Sequence, residues 1–383
     1  MSAGDTLAAP QPAAAPVIRA PLGLLAELTH RCPLACPYCS NPLALEDRAG
    51  ELDTATWTRV FNEAAELGVL QTHLSGGEPL SRRDILDLVA AAHDAGLYTN
   101  LITSAIGLDA ARVAALRDAG LDHVQISLQD TVAGSADVIA GYDGAHARKL
   151  AAAAAVRDAG LALTVNAVIH RANIERLEAM VDMAAALGAG RVEVAHAQYY
   201  GWALRNRAAL MPTRAQVETA TATLARLRDQ YDGRLVIDAV VPDYYARYPK
   251  PCMGGWASRS LNVTPSGRAL PCHAAETIPG LEFWNVRDHS VRDIWLHAPS
   301  FNAFRGTDWM SEPCRSCARR EVDFGGCRCQ ALAITGDATA TDPACALSPL
   351  HDHLLELAEA DAQTGTIRYA YRGRRLAAST QCP

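Results

Sequence analysis

Cys32, Cys36 and Cys39 stand in the spacing C-x3-C-x2-C just after the apolar run Leu22–Leu28. Three thiolates on one short loop suit three corners of an iron–sulfur cube, because soft sulfur ligands favour such clusters. A fourth iron then has no protein ligand from this loop and stays open to a small chelating molecule. The competing chemistry is part of a zinc site. Zinc knuckles pair C-x2-C units with further ligands close by, and no His or Cys follows Cys39 within thirty residues. Seven more cysteines fall between Cys252 and Cys345, and Cys382 is in the tail. Cys314-x2-Cys317, Asp323, Cys327-x-Cys329 and Cys345 are too many ligands for one tetrahedral ion.

Composition limits the alternatives. At 383 residues the chain has room for two or three domains and a large core. The net charge of −7 argues against nucleic acid as a partner. No apolar run reaches the length of a bilayer span, and no signal-peptide pattern opens the chain. A cytoplasmic protein is expected, in which cysteines serve metals more often than disulfides. Residues 1–20 are rich in Ala and Pro and read as a disordered tail.

The elements that must hold the first cysteines repeat along the chain. An Ala-rich helical segment ends in Gly, and an apolar run follows. The runs are Gln71–Ser75, Tyr98–Thr103, His123–Leu128, Leu163–Ile169 and Arg191–Ala195. Gly just past a helix is the left-handed cap, and the run after it is a buried parallel strand. With Leu22–Leu28 this makes six β/α units and an α/β fold. Pattern alone leaves an open doubly wound sheet and a partial barrel both possible. Ser75-Gly76-Gly77-Glu78-Pro79 follows the second strand, and its glycines permit close backbone approach to a ligand. Ser104, Ser127 and Gln129 lie at later strand ends, where hydroxyls and amides serve equally as ligand contacts or as caps. His170, at the fifth strand end, is better placed than His93, His123 or His146, which read as surface residues. Tyr199-Tyr200-Gly201-Trp202 and Tyr244-Tyr245-Ala246-Arg247-Tyr248 read as packing at a domain junction, with a cleft lining as the second reading. A helix over 213–231 and a strand over 235–241 bridge to the cysteine-rich part.

C-x3-C-x2-C with Tyr38 before the last Cys, followed by Gly76-Gly77-Glu78-Pro79, resembles the radical S-adenosylmethionine superfamily. The resemblance implies a six-stranded partial TIM-like (β/α)6 barrel with its site at the C-terminal strand ends. It makes Cys32, Cys36 and Cys39 ligands of a 4Fe-4S cluster with an open iron. That iron binds S-adenosylmethionine, whose reductive cleavage yields a hydrogen-abstracting deoxyadenosyl radical. Gly76, Gly77, Glu78, Ser104, Gln129 and Asn166 become candidates for holding S-adenosylmethionine.

Cys252, then Gly267-x4-Cys272, Cys314-x2-Cys317-x5-Asp323-x3-Cys327 and Cys345 resemble the SPASM extension of peptide-modifying members, with Asp323 in place of a Cys. This implies two auxiliary iron–sulfur clusters. One is 4Fe-4S, on Cys314, Cys317, Asp323 and Cys345. The other, 4Fe-4S or 2Fe-2S, is on Cys252, Cys272 and Cys327, and Cys329, which is outside the family pattern, joins as fourth ligand by elimination. A carboxylate ligand alters cluster potential; the plainer reading of Asp323 is a surface residue. Cys382, after Arg372, Arg374 and Arg375, reads as a free thiol. The expected layout is a tail to residue 20, a barrel over 21–210, a bridge over 211–250, a SPASM domain over 251–350, and a helix and tail beyond.

The opening Pro21–Pro42, with Asp323 and Cys329, is similar to the PqqE family of pyrroloquinoline quinone biosynthesis. That resemblance implies C–C crosslinking of Glu and Tyr side chains in the precursor peptide PqqA. It also implies a peptide chaperone, PqqD, and a flavodoxin-type reductant. Another SPASM enzyme, such as a sulfatase maturase or a thioether-forming maturase, is the close alternative. An iron–sulfur electron carrier or a zinc-structured binding protein is the distant one.

Overall fold

The computed structural model describes residues 18–240, 242–365 and 368–373. Seven strands run parallel and pair in sequence order: β1 Gly23–Thr29, β2 Gln71–Gly76, β3 Tyr98–Thr103, β4 His123–Leu128, β5 Ala162–Ile169, β6 Arg191–His196 and β7 Val236–Val240. The expected six units are present, and the sheet goes further at both edges. The strand expected in the bridging region is β7 of this same sheet. At the other edge β8, Ser260–Val263, pairs parallel to β1, and β9, Ala269–Leu270, pairs antiparallel to β8. The start of the cysteine-rich part, residues 260–270, is therefore built onto the first strand. β7 and β9 end the sheet unpaired with each other, so this is an open partial barrel.

Period-2 alternation decides what faces the interior. In β4, Val124, Ile126 and Leu128 pack in the hydrophobic core, while Gln125, Ser127 and the following Gln129 point into the lumen. In β5, Val165, Ala167 and Ile169 join that core, and Asn166 and Val168 face inward. The helices between strands end as the sequence implies. Gly68, Gly96, Gly120, Gly160 and Gly188 all have positive φ, the backbone state in which glycine carries no Cβ penalty.

One ion pair fixes the end of β1 from which the cysteine loop departs. Arg82, nearly buried, donates to the carbonyls of Leu28 and Leu52 at 3.0 Å each and pairs with Asp84 at 2.6 Å. Thr54 Oγ1 also donates to Asp84, at 2.7 Å. The Arg82 hydrogen bond holds the Asp84 carboxyl down at about 2. A carboxylate with a lowered folded pKa stabilises above its ordinary value and loses that contribution as pH falls through the lowered one. Asp84→Asn is therefore expected to cost about 1–2 kcal/mol at pH 7, on the scale of charge-assisted hydrogen bonds. The difference from the parent should shrink by pH 3, measured by urea unfolding at both pH values. An equal difference at both would mean that Asp84 acts without its charge.

Candidate active site

The loop carrying Cys32, Cys36 and Cys39 is tied down at several points. The Ala35 amide donates to the Ala140 carbonyl at 2.9 Å, and Asn206 Nδ2 donates to the Pro37 carbonyl at 2.9 Å. Leu34 is buried in a small apolar cluster with Ala140 and Ala145, against which Cys32 and Cys36 pack. The three thiols line one cavity of about 420 Å³ at the C-terminal strand ends. Burial is the leading cause of their raised pKa values, with Cys32 pushed up to about 11 and Cys36 to about 12. Ligand thiols must give up their protons to bind metal. Cluster loading is thus expected to weaken as pH falls, and iron and sulfide content after reconstitution at about pH 8.5 and about pH 6.5, both below these pKa values so that metal must displace the thiol protons, checks this.

Gly76 and Gly77 line the same cavity, and their lack of a side chain is required by the chain itself. A Cβ on Gly76 would sit 2.4 Å from the Thr29 carbonyl, and one on Gly77 would sit 2.4 Å from the Arg31 carbonyl. The Gly77 amide donates to Thr29 O at 2.5 Å, and that of Glu78 to Arg31 O at 2.7 Å. The glycines therefore weld the β2 end to the base of the cysteine loop, as well as exposing backbone to the cavity.

Glu78 is placed differently from Gly76 and Gly77. Its carboxylate is 2% exposed and turned into the wall. It accepts from Thr103 Oγ1 at 2.7 Å, from the Ser104 amide at 2.7 Å, from the Ser104 hydroxyl, and from the Leu80 amide at 3.0 Å. Burial raises the Glu78 pKa, and these donors oppose the rise. Ser104, Gln129 and Asn166 line the cavity, as does Ser127. Asn166 Nδ2 donates to Glu193 at 3.1 Å, and Gln125 donates to the same oxygen at 2.8 Å. Gln129 Oε1 accepts from Lys149 Nζ at 2.8 Å, which leaves Gln129 Nε2 buried with no partner among the described residues.

Lys149 was not foreseeable from its setting in an Ala-rich helix. It is fully buried, and burial lowers its pKa to about 8 while Cys36 opposes that shift. The polar alternation Gln125, Ser127, Gln129 along β4 was a usable signal for the lumen face. His170 is fully buried, 5.5 Å from the Tyr38 ring, and burial drives its pKa down to about 3. It does not line the cavity, whereas His196 and His273 do. His93 is exposed, but His123 and His146 are half-buried, and His123 hydrogen-bonds Thr164 at 2.8 Å.

The aromatic stretches divide between the two roles. Tyr199 and Tyr244 pack together, ring centroids 4.5 Å apart, in a cluster with Met211 and Leu354. Tyr200 instead lines the cavity and hydrogen-bonds His273. Beyond His273, four thiols adjoin one another. Cys252 interacts with Cys272 and Cys327, and Cys329 with Cys272 and Cys327. Asp342, fully buried, accepts from the Cys327 amide at 2.6 Å and from the Ala344 amide at 2.9 Å, fixing the Cys327 turn. Cys314, Cys317, Asp323 and Cys345 line a separate small pocket, with Tyr248 on its wall. Asp323 is 7% exposed and accepts from Arg319 Nε at 3.1 Å and the Gly325 amide at 3.2 Å. The plainer surface reading of Asp323 is therefore corrected: the backbone turn of Gly325 and the Arg319 cation hold its carboxylate inward. Residues 1–17, Arg374, Arg375 and Cys382 lie outside the described residues.

The donor types, mostly thiols, are those that iron–sulfur clusters take. Three thiols on one loop, an exposed glycine backbone and unpartnered polar atoms face one cavity, while four-donor sets sit at two further places. Comparison with known proteins agrees. Residues 26–184 match the Radical SAM superfamily, and residues 252–318 match the SPASM iron-sulfur cluster-binding domain. A protein of Methylocella silvestris named PqqA peptide cyclase is 68% identical over 92% of this chain and 95% of its own length. One of Methylobacterium nodulans with the same name is 62% identical, over 91% and 92%. The structure of Streptococcus suis SuiB bound to S-adenosylmethionine superposes with a TM-score of 0.71 at 20% identity, covering 85% of this chain and 77% of that one.

Proposed function

The chain belongs to the PqqA peptide cyclases, radical S-adenosylmethionine enzymes with a SPASM domain, and on that premise we propose that it joins a glutamate to a tyrosine side chain of the peptide PqqA through a C–C bond. The observation that carries this reading is the 420 Å³ cavity, where the three loop thiols face the glycine backbone and a polar strand face. Cys32, Cys36 and Cys39 would hold the 4Fe-4S cluster whose open iron takes S-adenosylmethionine. Bound there, the cluster and S-adenosylmethionine supply a radical able to take hydrogen from an unactivated carbon.

The chain's own residues do the rest. Gly76, Gly77, Ser104, Gln129 and Asn166 bind and orient S-adenosylmethionine, and Glu78 holds Ser104 in place from behind. Cys252, Cys272, Cys327 and Cys329 hold one auxiliary cluster. Cys314, Cys317, Asp323 and Cys345 hold the other. PqqD presents the peptide, and a flavodoxin-type protein delivers the reducing electron.

The test is anaerobic turnover of the reconstituted enzyme with S-adenosylmethionine, reductant, PqqA and PqqD, followed by mass spectrometry. The expected result is a peptide lighter by two hydrogens, with a Glu–Tyr crosslink on fragmentation. Deoxyadenosine with an unchanged peptide would overturn the crosslink, and no deoxyadenosine from fully loaded enzyme would overturn the radical reading itself.

A further inference from the structure

A short segment outside both matched regions reaches the radical site. Residues 368–373 follow the helix His351–Ala362 and return across the mouth of the barrel. Asn206, 4% exposed, grips this strap by both ends of its amide. Its Nδ2 donates to the Ala370 carbonyl at 3.1 Å, and its Oδ1 accepts from the Ala370 amide at 2.6 Å. The same Nδ2 donates to Pro37 O in the cysteine loop, so strap and loop share one anchor. Tyr371 OH donates to the Val138 carbonyl at 2.7 Å.

These anchors deliver Arg372 to the cavity. One guanidinium nitrogen, Nη2, donates to the carbonyls of Leu34 at 2.6 Å and Cys32 at 3.4 Å. The other, Nη1, is buried and has no partner among the described residues. Among the described residues that line this cavity, Arg372 is the one Lys or Arg. A guanidinium with one edge fixed by backbone and a buried, unmatched nitrogen at the other is a half-filled fork. The planar fork of arginine matches a carboxylate. Leaving a charged donor buried and unpaired is costly, so the edge is shaped for an anion that arrives.

We propose that Arg372, presented by the C-terminal strap, binds a carboxylate ligand in the radical cavity. The carboxylate belongs either to the methionine part of S-adenosylmethionine or to the glutamate of the substrate peptide, so this inference rests on the function proposed above. The strap is thus part of the active site although it is far from the cysteine motif in sequence. On binding, Nη1 gains a carboxylate oxygen as acceptor while Nη2 keeps its carbonyls.

The experiment compares parent, Arg372→Gln and Arg372→Lys, each reconstituted anaerobically and checked for iron content and the cluster's electron paramagnetic resonance signal. Equilibrium dialysis without peptide then gives the affinities for S-adenosylmethionine and for its decarboxylated analogue. Peptide affinity is measured for PqqA and for PqqA with its crosslinking Glu replaced by Gln, both with PqqD. If the carboxylate is that of S-adenosylmethionine, Arg372→Gln weakens its binding about 10- to 100-fold, as loss of a charge-assisted hydrogen bond does. Discrimination against the decarboxylated analogue should shrink by the same factor, and Arg372→Lys should recover part of both. If it is the peptide's, the same pattern appears between the Glu and Gln peptides instead. Unchanged discrimination in both arms overturns the proposal. So does equal loss of iron in Arg372→Gln and Arg372→Lys with the Cys32 loop displaced, which would leave Arg372 a loop anchor only. Parent enzyme that binds neither S-adenosylmethionine nor PqqA would instead count against the proposed function.

Discussion

Replacing Cys36 by alanine is expected to lower deoxyadenosine formation more than about 100-fold, beyond what outer-shell changes at metal sites cost. The reason is geometric and electronic together. The three thiols come from one loop whose ends are fixed, by Ala35 to Ala140 and by Asn206 to Pro37. Among the described residues, no cysteine besides Cys32, Cys36 and Cys39 lines that cavity to take over a lost corner. The effect on folding should be small, because Cys36 contributes a modest side chain to a small cluster of Leu34, Ala140 and Ala145. Iron analysis should show one cluster's complement missing while the C-terminal cysteines keep theirs. Thermal unfolding of the metal-free protein should change by only a few degrees, in line with about 1 kcal/mol. Activity near that of the parent, with full iron, would remove Cys36 from the ligand set.

Glu78→Ala is expected to cost about 3 kcal/mol of stability, since it strands several buried donors at once. Thr103, Ser104 and Leu80 all direct hydrogen bonds at this one carboxylate. With it gone, the β3 end loses its tie to the β2 turn, and Ser104 no longer has a fixed direction at the cavity edge. S-adenosylmethionine affinity should therefore fall at least about tenfold, the size of effect of an outer-shell partner. Glu78→Gln keeps one acceptor oxygen and should fall between the two. Urea unfolding and equilibrium dialysis check the two halves separately. Lost stability with unchanged affinity would make Glu78 a framework residue without influence on the ligand.

Much of this protein was legible in one dimension. The C-x3-C-x2-C loop, the Gly-Gly-Glu-Pro turn and the Cys314-x2-Cys317 and Cys327-x-Cys329 pairs are local patterns, in which the spacing itself is readable. The helix–Gly–strand repeat was equally local. A left-handed cap and a buried run can be read without knowing their neighbours, and the strands fall within one or two residues of where the repeat places them.

Tertiary structure decided what depends on distant backbone meeting. The sequence of Ser260–Val263 gives no sign that it will extend the sheet from β1, because strand pairing is set by partners far along the chain. Glu78 reads as a ligand contact from its motif, yet its side chain points at Thr103 and Ser104, a direction that only the packed β3 end fixes. Lys149 looks like an exposed helix residue until the helix is rotated against Ser127 and Gln129. Arg372 stands more than 330 residues from the cysteine loop, and only the clamp of Asn206 on Ala370 brings its guanidinium to Leu34 and Cys32. By itself the sequence determined which chemistry the chain carries, because the three-cysteine loop and the glycine turn are short-range patterns. The fold alone decided which charges surround that chemistry, because burial and closure are long-range.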